Sequence, residues 1–140
     1  MLTINSYLFA IIENQRIYDR NIHKNSNQMS EIFLHDSEQQ WTDLGEGVMR
    51  KILVFNEELM LMKVRFEKGA IGALHQHPHT QISYVSAGKF RYHIDGVDSI
   101  LMAGDSCIIY SNLIHGCECL EEGELIDSFS PYREDFVQST

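Results

Sequence analysis

A chain of 140 residues, 44% hydrophobic and 22% charged, fits one globular domain with enough length for a buried core and little left for a second. Twenty acidic against eleven basic side chains give a formal charge of −9, which repels phosphate backbones and argues against nucleic acid as a partner. Cys107, Cys117 and Cys119 form an odd set without a CxxC pair, the pattern of reduced thiols in a reducing compartment.

The longest apolar run, Tyr7 to Ile12, is too short to cross a bilayer, has no Lys or Arg before it and meets Glu13 at once. Neither a membrane span nor a secretory signal is expected, and the cytoplasm is the default location. Asparagines crowd the first 28 residues, and Asn21 to Gln28 is almost wholly polar. This predicts an arm or linker over 1–28 and a compact domain over 29–140.

From Trp41 onward, short runs rich in β-branched and aromatic residues alternate with turn signals, which predicts an all-β sandwich or barrel. Strands are expected at Val48–Phe55, Leu59–Glu67, Thr80–Ser86, Lys89–Ile94, Val97–Met102, Cys107–Tyr110 and Glu124–Phe129. Asp95-Gly96 signals a two-residue hairpin, because both turn positions need a positive φ. Gly69, Gly72, Gly88, Gly104 and Gly123 read as further turns, and Glu121-Glu122 as a solvated hairpin tip. Pro78 and Pro131 fall at strand edges, where a missing N–H costs least.

The richest stretch is His75-Gln-His77-Pro-His79-Thr-Gln81. Residues two and four apart in an extended chain share a face, so His75 and His77, with Gln81 after the Pro78 bend, can converge on one point. His115, after a Gly104-Asp105 turn, supplies a third imidazole. Three imidazoles and an amide oxygen suit one divalent metal ion (Zn, Ni, Fe, Mn or Co), with positions left open for substrate. His79 shares the parity of its neighbours but sits in the bend, so a role supporting the ligands or shaping the loop is expected rather than ligation. Cys117 and Cys119 share the parity of His115 and are expected to pack in the core as small hydrophobes.

The spacing Gly69-x5-His75-x-His77-x3-Gln81-x6-Gly88 resembles the first cupin motif, with Gln81 where most cupins carry Glu. Gly104-x5-Tyr110-x-Asn112-x2-His115 resembles the second, with Tyr110 and Asn112 in place of Pro and Gly and Cys119 in place of Asn. Arg50-Lys-Ile-Leu53, Phe66-Glu-Lys-Gly-Ala70, His75 to Gln81, His115-Gly116 and Asp127-Ser-Phe129-Ser-Pro131-Tyr-Arg133-Glu-Asp-Phe136 are similar to the KdgF family, from about residue 31 to 137.

The resemblance implies a single cupin barrel, a small double-stranded β-helix or jelly roll, behind an N-terminal extension. It implies metal-dependent ring opening of 4,5-unsaturated uronates from pectin or alginate breakdown, and a homodimer. Gln is the fourth ligand in that family, and Asp127, Phe129 and Arg133 fall on positions tied to activity. Asp127 and Phe129 share the face of Leu125, the expected barrel interior, while Ile126 on the opposite face suggests a sheet or subunit contact. Two rival readings are a sugar-binding cupin without turnover and an iron-dependent cupin oxygenase. As bland alternatives, Gln81 is a strand-edge amide, Asp127 a satisfied core polar group and Arg133 a surface cation.

Overall fold

Two long bent strands carry the architecture. The described residues, 30–138 of this computed structural model, form in chain order a short 3-10 helix (Asp36–Glu38), β1 (Thr42–Gly45), β2 (Val48–Phe55), β3 (Met60–Phe66), β4 (Ile71–His75), β5 (Thr80–Ile94), β6 (Val97–Met102), β7 (Ser106–Ile109), β8 (His115–Ser130) and α1 (Glu134–Val137). The arm expected over residues 1–28 lies outside them.

β5 and β8 pair antiparallel along their whole length, from Thr80↔Ser130 to Ile94↔His115. Their outer edges change partner part-way. β8 takes β4 beside residues 115–118 and β3 beside residues 123–129, while β5 takes β7 beside residues 81–84 and β6 beside residues 89–94. Each long strand thus contributes one half to each of two sheets, and the pair folds over on itself as a jelly-roll barrel. The core lies between the sheets, where Phe66 of β3 meets Phe90 of β5 edge to face at 5.4 Å. Alternation supplies it: Met60, Met62, Val64 and Phe66 point inward along β3, as do Leu125, Asp127 and Phe129 along β8.

Between the pairs Val85↔Leu125 and Phe90↔Cys119 the chain takes five steps on β5 and six on β8. Irregular pairing at Ala87 and Lys89 absorbs the difference, as a bulge does. As a result β5 buries odd positions before the bulge (Gln81, Ser83, Val85) and even ones after it (Phe90, Tyr92), whereas the side chains that β8 buries on either side of it (His115, Cys119, Leu125, Asp127, Phe129) are all at odd positions.

The expectation of two strands separated at Gly88, and of a hairpin tip at Glu121-Glu122, is therefore corrected. Gly88 has φ +83°, and a Cβ there would stand 2.5 Å from the Glu122 carbonyl oxygen; one at Gly123 would stand 2.2 Å from that of Ala87. These glycines permit close approach of two continuous strands. Glu121 sits mid-strand and pairs with Lys89 at 2.8 Å. β1 and β4 are additional to the expected strands. Asp95-Gly96 is the hairpin turn expected, with φ of 47° and 82°, and Asn112, where the resembling motif has Gly, adopts φ 64°, a conformation Asn tolerates.

Candidate active site

His115 and Phe129 stand at opposite ends of β8, where a straight strand at about 3.3 Å per residue would part them by about 46 Å. The curl of the ribbon brings both onto His77, with ring centroids 4.9 and 5.7 Å from its own. His75, at the end of β4, pairs with His115 across the ladder, and their rings lie 4.3 Å apart. One ligand atom from each of His75, His77 and His115 falls within 4.8 Å of the others. His77 and His115 are buried and His75 is exposed, so the cluster opens to solvent on one side.

Each ring is oriented by a carbonyl that can only accept a hydrogen bond. The Nδ1 atoms of His75, His77 and His115 face Ala73 O at 2.8 Å, His79 O at 3.1 Å and Leu113 O at 2.8 Å. The proton therefore sits on Nδ1 and the lone pair on Nε2, an assignment made from the bonding partners. Burial holds His77 in the neutral form, its pKa pushed down to about 4, and also lowers that of His115.

Gln81, the second residue of β5, lies beside His77, and its carboxamide is set by a chain running behind it. The Ser83 hydroxyl has one hydrogen and lies 2.6 Å from Asp127 Oδ1, to which it donates. Gln81 Nε2 donates to Ser83 Oγ at 2.9 Å, which turns Gln81 Oε1 toward His77 Nε2 at 3.0 Å. Two acceptors thus face each other with no proton between them, and the buried His115 Nε2 has no partner. A cation satisfies all of these lone pairs at once, so the donor set fits a divalent metal.

Asp127 is buried, and burial pushes its carboxyl up to about 6 against the opposing hydrogen bonds from Ser83 and Gln81. Arg133, just beyond β8, packs its guanidinium 5.5 Å from the Phe129 ring centroid and 3.9 Å from that of Phe136. Its fork is held by Asp135 of α1, through Nε at 2.9 Å and a terminal nitrogen at 2.7 Å.

The fold thus gathers His75, His77, Gln81, His115, Asp127 and Phe129, with Arg133 against the Phe129 ring. His79 stays out of the cluster, as expected, with its carbonyl orienting His77. Cys119 is buried in the core and Cys117 packs beside it. Burial, reinforced by the nearby Asp127, pushes the Cys117 thiol up to about 12, so it stays protonated. Ser83 and Asp135 were not anticipated. Ser83 has the parity of Gln81, two residues further along β5, which is the signal that marks it; Asp135 carries only its spacing from Arg133. A groove of about 700 Å³ lies elsewhere, against the β1–β2 turn and the β5–β8 bulge, and its lining of Asp43, Glu46, Glu67, Glu122 and Glu124 is unsuited to an anion.

The family described as cupin domain matches residues 62–127. The pectin degradation protein KdgF of Dickeya dadantii (strain 3937) is 48% identical over 104 residues, covering 73% of this chain and 94% of that protein. The chain belongs to the KdgF family. Among solved structures, an RmlC-like cupin from Shewanella frigidimarina superposes with a TM-score of 0.76 at 47% identity, covering 78% of this chain and 98% of the other. KdgF from Halomonas sp. gives 0.73 at 37%, covering 76% and 99%. The KdgF-like motifs span both ends of the curled ribbon, so the likeness includes the elements that build the site.

Proposed function

We propose that this protein opens the ring of 4,5-unsaturated uronate monosaccharides released from pectin or alginate, giving the open-chain keto acid 4-deoxy-5-hexosulose uronate. The observation that carries the reading is the buried carboxylate of Asp127, tied through Ser83 and Gln81 to a three-histidine cluster. The close likeness to a pectin degradation protein supports the substrate class.

The substrate is a cyclic hemiacetal whose ring oxygen is attached to an enol carbon. Opening removes the proton of the C1 hydroxyl, releases the ring oxygen with the electrons of its bond to C1, and delivers a proton to C4. No oxidant is needed. His75, His77, His115 and Gln81 hold the divalent metal, which supplies Lewis-acid stabilisation of developing negative charge when bound. Four neutral ligands leave its charge undiminished toward an anionic substrate.

Asp127 is the base and proton shuttle. Its raised pKa brings it nearer neutrality than an ordinary carboxyl, where a group both accepts and returns a proton readily. Phe129 supplies an apolar wall beside His77 that orients the sugar ring. Arg133 recognises the substrate carboxylate with its planar fork, a local positive charge on an acidic protein.

The setting proposed is the cytoplasm, where small uronates are metabolised, and no helix among the described residues is long and apolar enough to cross a membrane. A homodimer is supported by the exposed apolar side chains Ile82, Tyr84 and Ile108 on the outer face of β5 and β7.

The test mixes the metal-loaded protein with an unsaturated monouronate under nitrogen and follows loss of the enol-ether absorbance. Turnover without O2 is expected. Binding without turnover would make the protein a sugar-binding cupin, and strict O2 dependence would make it an oxygenase.

A further inference from the structure

Arg133 is already satisfied. Its side chain is only 11% exposed, and both donors of its fork bind the Asp135 carboxylate in the bidentate geometry that a substrate carboxylate would itself require. Asp135 stands on the four-residue α1, with its side chain 57% exposed. On β2, the guanidinium of Arg50 stacks 4.1 Å from the centroid of the same Phe136 ring that Arg133 covers. Arg50 is half-buried, and among the described residues it makes no hydrogen bond or ion pair. Two guanidiniums therefore share one aromatic ring, and one carboxylate serves the pair.

We propose that Asp135 is an internal carboxylate that occupies the Arg133 fork until the substrate carboxylate displaces it, and that Arg50 receives Asp135 when it leaves. The identity of the incoming anion rests on the ring-opening reading; the exchange itself rests on the contacts around Phe136. A nearly buried guanidinium without a partner is costly, so the free protein covers Arg133 with its own anion. An incoming carboxylate replaces one bidentate pair by another, and Arg50 supplies five unused N–H donors to the released Asp135. Two guanidiniums and one carboxylate leave one positive charge uncompensated before binding, and the incoming carboxylate neutralises it. A neutral sugar would break the Arg133–Asp135 pair and offer nothing in return, so Asp135 makes the site selective for acids. Asp135 and Arg50 are specificity-determining residues that touch the substrate only through Arg133.

The test titrates the metal-loaded full chain calorimetrically with D-galacturonate, a saturated uronate that lacks the C4–C5 double bond, and with D-galactose as the neutral control. Asp135→Asn should tighten galacturonate binding by about three- to tenfold and narrow the preference for acid over neutral sugar. Arg50→Gln should weaken galacturonate binding by a similar factor, and that loss should vanish in the Asp135→Asn background, because the two residues act as one unit. If Asp135→Asn instead weakens binding as Arg133→Gln does, Asp135 merely props Arg133 and the exchange is wrong. An Arg50→Gln loss of equal size in both backgrounds would place Arg50 on the ligand directly and overturn its role as acceptor. Absence of galacturonate binding in both the parent and Asp135→Asn would also overturn the proposal. Turnover of an unsaturated monouronate on the same samples reports separately: a parent that shows the exchange pattern without turnover loses the ring-opening reading and keeps the exchange.

Discussion

His115 Nε2 is a buried polar atom with nothing to bond, a state that costs about 1–3 kcal/mol unless something fills it. His77→Ala or His115→Ala should strip metal and activity together, as read by elemental analysis and turnover, because two imidazoles and an amide hold a divalent ion poorly. Full metal occupancy in both variants would rule out the site. Asp127→Asn should keep fold and metal while cutting turnover by about 10²–10⁴-fold, since Asn is nearly isosteric but cannot take the proton. Near-parent turnover in that variant would return Asp127 to the role of a satisfied core group.

Gln81→Glu is more informative, because the structure adds a cost that the ligand argument lacks. A Glu at 81 should tighten the metal. Its negative charge would repel a nearby uronate carboxylate by about 2–4 kcal/mol at an effective dielectric near 20, roughly a 30- to 1000-fold loss in kcat/KM. It also loses the donor that Gln81 Nε2 gives to Ser83, so the chain to Asp127 is broken from one end. Paired metal titration and steady-state kinetics should therefore move in opposite directions, and an unchanged kcat/KM would mean that ligand neutrality is irrelevant to the chemistry.

At the scale of elements, the crossing of β5 and β8 is held open by the absence of side chains. Gly123→Ala would drive a methyl to 2.2 Å from a backbone oxygen that belongs to the paired strand and has no rotamer to yield. A loss of about 1–3 kcal/mol is expected from such overpacking, measured as a lower urea midpoint, and a parent-like midpoint would show that the ribbon relaxes there. The same glycines explain what was legible. Short runs rich in β-branched and aromatic residues between turn signals located β2, β3 and β6, and the HxH spacing with His115 located the three-histidine cluster beside Gln81, because parity on a strand decides which side chains meet. Gly88 and Gly123 were misread as turns because glycine serves a tight turn and a close strand approach equally, and only long-range pairing tells them apart. β4 escaped because its outward Ile71 and Leu74 are exposed and Gly72 breaks the apolar pattern. Asp135 was invisible for another reason: its partner is fixed by the curl of the C-terminal segment, which no local pattern encodes.

For the molecule as a whole, the described site residues run from His75 to Asp135. Deleting residues 1–28 should accordingly leave metal content and specific activity near those of the full chain, with the same oligomeric state by light scattering. A truncation that is insoluble, or monomeric where the full chain is dimeric, would show that the arm packs on the barrel. The five-against-six step count near Gly88 reaches further than its surroundings. It works as a phase setting between the metal half of β5 and the aromatic half. One residue added or removed there, whatever its type, would leave Phe90 and Tyr92 seated while presenting Ile82 and Tyr84 to the site and Gln81 and Ser83 to solvent. Chain length across this short stretch is thus under tighter constraint than its chemistry, and a library that varies residue identity there should yield active proteins far more often than one that varies residue number.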